Sequence, residues 1–172
     1  MRRIIVLTGN GKGKTTSALG TAVRALGRDF KVYFYQFLKS EDAEYGEHLF
    51  FKTSKKLNIV KFGLGCRKDF KYTDKDKKAA SDGLKKIELE LRKNKNTKTL
   101  CVLDEVSYPM IWNWFPIEDV IKLIKKYSKV NFILTGRDMP KELIDMADTV
   151  SSVTEVKHAY QQGCKAQQGV EF

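Results

Sequence analysis

Proline and cysteine each occur three times in 172 residues, and histidine only twice. A chain so poor in proline, with 42% hydrophobic residues, is neither collagen-like nor disordered. Cys66, Cys101 and Cys164 are widely scattered and form no Cys-x-x-Cys pair, which argues against a disulfide framework and a zinc site. A reducing cytoplasm is the expected compartment. The longest apolar runs, such as Ile4 to Leu7, fall far short of the roughly 18 residues that a membrane span requires. The basic opening Met1-Arg2-Arg3 leads into only a short apolar stretch with no small-residue cleavage site after it, so the start reads as a strand and not as a secretory signal.

Positive charge is abundant. With 32 Lys and Arg against 21 Asp and Glu the chain carries +11, a balance that suits nucleic acid, a phosphate-rich substrate or an acidic protein partner. The basic residues are spread through Lys52 to Lys61, Lys68 to Lys78 and Lys122 to Lys129, which is the pattern of solvated faces and not of a single binding arm. The length suits about one domain. Without an internal repeat, low-complexity segment or Pro- and Ser-rich linker, residues 1–172 read as one unit.

Ile4 to Leu7, Val32 to Leu38, Leu57 to Phe62, Leu100 to Leu103 and Phe132 to Leu134 are short runs of β-branched, aromatic and aliphatic residues, suited to strands covered on both faces. Between them lie helical spacings: Ala18, Ala22, Ala25 and Leu26; then Ala80, Leu84, Ile87 and Leu91; then Val120, Ile121, Ile124 and Tyr127, opened by Pro116. Strand alternating with helix predicts an α/β fold, a mainly parallel β-sheet flanked by helices. Charge and glycine interrupt the pattern over Ser40 to Phe51 and Gly63 to Asp76, where loops over the ligand edge of the sheet are expected.

The strongest signal is Thr8-Gly9-Asn10-Gly11-Lys12-Gly13-Lys14-Thr15-Thr16, between the first strand and an alanine-rich helix. Its glycines allow turns that side chains forbid, so that backbone N–H groups can converge on phosphate oxygens at a helix N-terminus. Lys14 adds a point charge, and Thr15 has the hydroxyl position that usually meets magnesium. The strict phosphate-loop pattern requires glycine at position 8; here Thr8 stands there and Gly9 follows one place later. The apolar run Cys101-Val102-Leu103 ends in Asp104-Glu105, hard oxygen ligands suited to Mg2+. In an extended strand these two point opposite ways, so one would reach the metal and the other brace the loop. Phe132 to Thr135, followed by Gly136-Arg137, ends at the same sheet edge, where Arg137 would face a phosphate or lie solvated.

These motifs, with Tyr35-Gln36-Phe37-Leu38-Lys39, Gly46-Glu47, Ala147-Asp148-Thr149-Val150, Val156-Lys157-His158-Ala159 and the tail Gly163-Cys164-Lys165-Ala166-Gln167-Gln168-Gly169-Val170-Glu171-Phe172, resemble the P-loop ATP:cob(I)alamin (corrinoid) adenosyltransferases. The resemblance implies a three-layer, RecA-like P-loop fold, a homodimer, and transfer of the 5′-deoxyadenosyl group of ATP to Co(I) of a reduced corrinoid with release of triphosphate. It implies that ATP is held by Gly9, Asn10, Gly11, Lys12, Gly13, Lys14, Thr15 and Thr16 together with Arg137, that Thr15 and Glu105 coordinate Mg2+, and that Lys14, Thr15 and Glu105 serve catalysis. Since Co(I) is the nucleophile, His48 and His158 are expected to be structural.

Where the family carries Gly-Phe-x-Trp after the third strand, with aromatics that displace the lower axial ligand of cobalt, this chain has Gly65-Cys66-Arg67-Lys68. Phe62 and Phe70 flank that loop and are candidates to substitute, as are Trp112, Trp114 and Phe115 to cover the corrin. A basic face of Lys68, Lys71, Lys75 and Lys77 would steer an acidic, flavodoxin-like electron donor. The competing readings are a basic RecA-like ATPase that binds nucleic acid, against which no recognition motif is visible, and a non-catalytic ATP-binding relative.

Overall fold

The computed structural model describes residues 2–40, 42–65, 72–93 and 97–172. Strands β1 (Ile4–Thr8), β2 (Lys31–Phe37), β3 (Leu57–Phe62), β4 (Thr99–Asp104), β5 (Asn131–Thr135) and β6 (Thr149–Ser152) form one sheet in the order β3-β2-β4-β5-β1-β6. Every pairing is parallel, so all carboxyl ends lie on one edge. The helices are α1 (Lys14–Leu26), α2 (Gly46–Phe51), α3 (Asp74–Lys93), α4 (Ser107–Ile111), α5 (Ile117–Lys126) and α6 (Lys141–Met146). Among the described residues no helix is long and apolar enough to cross a membrane.

The pleat divides the core in two. Leu7, Val32, Phe34, Leu100, Val102 and Ile133 point to one face and pack on Ala18 and Ala22 of α1, whose small side chains let the helix lie close. Val6, Tyr33, Tyr35, Phe37, Cys101, Leu103, Phe132 and Leu134 point to the other face, which α3, α5 and α6 cover with Ile87, Leu91, Ile124 and Leu143. Burial on both faces is why the central strands read as unbroken apolar runs. Each such Leu, Ile or Phe contributes roughly 1.5–3 kcal/mol by leaving water.

The five strands and three helices expected from the sequence are present. The sixth strand was not legible, because Thr149–Ser152 is exposed along its length and lies on an edge. The segment expected as a loop over Ser40 to Phe51 is corrected in part: Gly46–Phe51 is helix α2. Cys66, Arg67, Lys68, Phe70 and Lys71 lie outside the described residues. Phe62 is committed to the core, stacked on Tyr35 with ring centroids 5.6 Å apart and edge-on to Phe37, so it does not serve as a loop aromatic. Phe115 is likewise buried, against Phe37.

Gly83 of α3 faces the Phe62 ring, and a Cβ there would stand 2.5 Å from it, whereas a Cβ at Gly20 of α1 would meet nothing. Gly83→Ala is therefore expected to destabilise by about 1–3 kcal/mol through overpacking, while Gly20→Ala stabilises by about 0.5–1 kcal/mol through helix propensity. Urea unfolding of the two variants checks the pair. Equal effects would show that the Phe62 contact is not tight.

Candidate functional site

Three strands turn sharply where they leave the carboxyl edge: Leu38 after β2 has φ 67°, Glu105 after β4 has φ 59° and Gly136 after β5 has φ 145°. For Leu38 and Glu105 this left-handed backbone costs of order 1–3 kcal/mol, a strain that marks a shaped site. At Glu105 it ends the strand alternation, and the two carboxylates part company. Asp104 is fully buried, and Oδ1 accepts from the hydroxyls of Thr15 at 2.9 Å and Thr135 at 2.6 Å. Its Oδ2 accepts from Gln36 Nε2 at 3.3 Å. Glu105 is turned into a cleft that Lys14, Thr15 and Arg137 also line, and its Oε2 is buried with no hydrogen-bond partner among the described residues. Of the two carboxylates, Asp104 is the one that braces the surrounding elements through its hydrogen bonds, and Glu105 is the one that lines the cleft.

The loop from Gly9 to Gly13 connects β1 to α1 at the same edge. Gly13, with φ 120°, stands immediately before α1, a conformation that any side chain would strain. Gly11 is required for a different reason: its N–H donates to the Val153 carbonyl at 2.8 Å, and a Cβ there would meet the Thr154 carbonyl oxygen at 2.8 Å. That glycine accommodates the chain leaving β6. The ammonium of Lys14 folds back on its own loop, donating to the carbonyls of Gly9 at 2.7 Å and Gly11 at 2.9 Å. Lys12 reaches the chain's last turn, donating to the Val170 carbonyl at 3.1 Å and standing 3.6 Å from the Glu171 carboxylate.

Burial sets the electrostatics. It pushes Asp104 above the usual carboxylate range against the hydrogen bonds from Thr135, Thr15 and Gln36 that oppose it. It pushes Glu105 up as well, reinforced by the Asp104 charge and opposed by Lys14, Lys39 and Arg137. Lys14 is lowered by burial, with Glu105 acting the other way and Arg137 adding to the fall.

The cleft holds about 610 Å3. Asn10, Gly11, Lys12, Gly13, Lys14, Thr15, Thr16, Glu105 and Arg137 all line it, so the tertiary structure gathers nearly every residue singled out in the sequence. Gly9 stands just behind the lining, where its carbonyl holds Lys14. Tyr72, Tyr108 and Trp112 give the cleft an aromatic wall, with the Tyr72 and Trp112 rings 4.5 Å apart and Tyr108 and Trp112 4.9 Å apart. Of the aromatics proposed to cover a corrin, Trp112 alone lines this cleft; Trp114 packs behind it and lines a groove with residues of α3 and α5. His158 also lines the cleft, and its Nδ1 accepts from the Tyr160 N–H at 3.2 Å, capping the turn at Ala159–Gln162. Sequence reasoning gave no role to Gln36, yet a lone amide within the apolar run Val32 to Leu38 was a signal that could have found it, since a strand covered on both faces buries that amide and obliges it to find partners.

Glu105 is held at a cost, since ionising it is less favourable in the folded chain than in the unfolded one. A carboxyl raised on folding opposes stability once it ionises, so Glu105→Gln is neutral below the ordinary carboxylate range and increasingly stabilising as the pH rises through the folded-state value. At pH 7.5 a gain of about 0.5–2 kcal/mol is expected, or several degrees in Tm. Thermal unfolding of both proteins across pH checks it, and a lower Tm for the variant at neutral pH would contradict the assignment.

Residues 1–172 match the family model described as ATP:corrinoid adenosyltransferase BtuR/CobO/CobP. The corrinoid adenosyltransferase of Escherichia coli strain K12 is 32% identical over 170 residues, covering 98% of this chain and 85% of that protein. The corrinoid adenosyltransferase CobA of Salmonella typhimurium is 33% identical over 172 residues, with 98% and 85% covered. That of Pseudomonas aeruginosa is 33% identical over 174 residues, with 98% and 83% covered. An α/β fold with an all-parallel sheet, a glycine-rich loop and an acidic strand end at one edge, and likeness across the whole length together place this chain in the ATP:corrinoid adenosyltransferase family.

Proposed function

We propose that residues 1–172 form a single nucleotide-binding unit that transfers the 5′-deoxyadenosyl group of MgATP to Co(I) of a corrinoid and releases triphosphate. The observation that carries this reading is the Thr15 hydroxyl, tied by its proton to Asp104, on one cleft with the Lys14 ammonium and with a Glu105 oxygen that has no partner among the described residues. Donating to Asp104 leaves the lone pairs of Thr15 for a cation, and Glu105 supplies a hard anionic oxygen, so this donor set fits Mg2+. Among the described residues no group of three or more His, Cys, Asp or Glu can hold a metal, so the remaining ligands would be phosphate and water. Bound there, magnesium would supply fixed positive charge beside the departing polyphosphate.

The reaction forms a bond from cobalt to C5′ as the C5′–O bond breaks, and that electron pair leaves on the triphosphate oxygen. Cobalt, as substrate, provides the nucleophile, so the chain needs no nucleophilic side chain of its own. Its residues bind and neutralise: Lys14 exchanges the Gly9 and Gly11 carbonyls for phosphate, Lys12 exchanges Glu171, and Arg137 adds charge at the rim. Tyr72, Tyr108 and Trp112 offer an apolar wall that excludes water from a strongly reducing centre. The family resemblance supports a homodimer and an acidic flavin-carrying donor; the exposed Lys75 and Lys77 of α3 suit the latter. The nucleic-acid-binding ATPase has no comparable support.

Phosphorus NMR of a completed reaction is expected to show triphosphate as the stoichiometric product. ADP in its place would overturn the reading. Lys14→Ala should lower transfer by roughly 100-fold or more with the fold intact, while Lys165→Ala, in the exposed tail, leaves it unchanged.

A further inference from the structure

Gln36 is fully buried in β2, and each atom of its amide has a neighbour. Its Nε2 lies 3.3 Å from Asp104 Oδ2 and 3.3 Å from Glu47 Oε1, and its Oε1 lies 2.6 Å from His48 Nε2. Ionised carboxylates only accept, so the NH2 group must face Asp104 and Glu47. The amide oxygen therefore faces His48, and the imidazole must carry its proton on Nε2. One histidine tautomer is thus selected by a chain of bonds that continues through Asp104 to the Thr15 hydroxyl, 2.9 Å away.

We propose that His48 is a positioning residue for the transfer reaction: as an Nε2–H donor it orients the Gln36 amide, Gln36 orients the Asp104 carboxylate, and Asp104 aims the Thr15 lone pairs at the magnesium–nucleotide. The inference rests on the MgATP reading above. Without the His48 donor, the buried Gln36 oxygen is left without that partner, and the side chain shifts to recover one, loosening the Nε2–H contact with Asp104. Asp104 then holds Thr15 in more than one orientation. Changing such outer partners of a metal site typically costs about 10–100-fold in metal affinity or activity.

The groups facing His48 come from several elements. Glu47 neighbours it on α2, Lys61 comes from β3, Lys39 follows β2, and the Tyr45 ring stands edge-on at 5.4 Å. Burial holds the imidazole below its ordinary range, Glu47 opposes this, and Lys61 and Lys39 reinforce it. Nδ1 is buried with no hydrogen-bond partner among the described residues, so a second proton there finds no acceptor and drives the ring from its place.

The test is calorimetric binding of ATP to the whole chain, with and without magnesium and without corrinoid. His48→Ala is expected to reduce the magnesium-dependent gain in ATP affinity about tenfold, leaving magnesium-free binding within about twofold. His48→Gln, which returns an N–H donor near the Nε2 position, should restore most of the gain. The wild-type gain should fall as pH is lowered through the imidazole range, and the His48→Gln gain should not. If His48→Ala melts early, His48→Asn removes the donor from that position while keeping a polar side chain. Equal losses in the Ala (or Asn) and Gln variants, an equal loss without magnesium, or a pH profile shared by wild type and His48→Gln would each overturn the proposal. A wild-type chain that binds ATP no more tightly with magnesium would instead overturn the MgATP reading, and the positioning role with it.

Discussion

The site depends on one buried carboxylate. Asp104 has no exposure to solvent, and an ionised carboxylate without partners in that position would cost several kcal/mol. Its partners come from three other elements: Thr15 from α1, Thr135 from β5 and Gln36 from β2. Satisfying Asp104 therefore fixes where the start of α1 lies relative to three strand ends. The same Thr135 hydroxyl accepts the Glu105 N–H at 2.9 Å, which holds the left-handed turn that swings the second carboxylate into the cleft. One desolvation problem, solved by hydroxyl and amide donors, thereby brings a threonine and a glutamate to the same cleft.

The lysines of the glycine-rich loop have partners within the chain. Lys14, which is buried, rests on two loop carbonyls, and the exposed Lys12 on the Val170 carbonyl near Glu171, so the buried ammonium is not left unpaired. In the proposed reaction an arriving polyphosphate would replace neutral carbonyls by anionic oxygens around Lys14, an exchange favoured by charge. Around Lys12 it must compete with a carboxylate that the tail carries. The last turn of the chain thus lines the cleft beside the glycine-rich loop, and it carries a terminal motif that forms part of the family resemblance.

A reaction whose nucleophile arrives with the substrate asks for neutralisation, alignment and dryness. The cleft divides these tasks by chemistry: cations and carboxylates on the strand ends and loop, aromatic rings on Tyr72, Tyr108 and Trp112. The strain at Leu38 and Glu105 is borne by a sheet whose central strands are buried on both faces, where packing holds the strained turns in place.

The amino-acid sequence by itself determined the central strands, the long helices and the glycine-rich loop, because these rest on local order: apolar runs, helical spacing, and glycine where φ is positive. The short helices α2, α4 and α6 were not legible, since helices of one to two turns owe their stability to tertiary packing and not to propensity. Nor was β6, an exposed edge strand whose pairing with β1 leaves no apolar signature. Gly11 illustrates the same division: its place in the loop was visible, but the carbonyl of Thr154 that crowds it comes from the far end of the chain. Only the tertiary structure decided that Asp104 braces while Glu105 faces the cleft, and that Gln36 and His48 stand behind them. Those relations depend on sheet register and on the direction of buried side chains, which bring together residues up to 89 positions apart that no local pattern links.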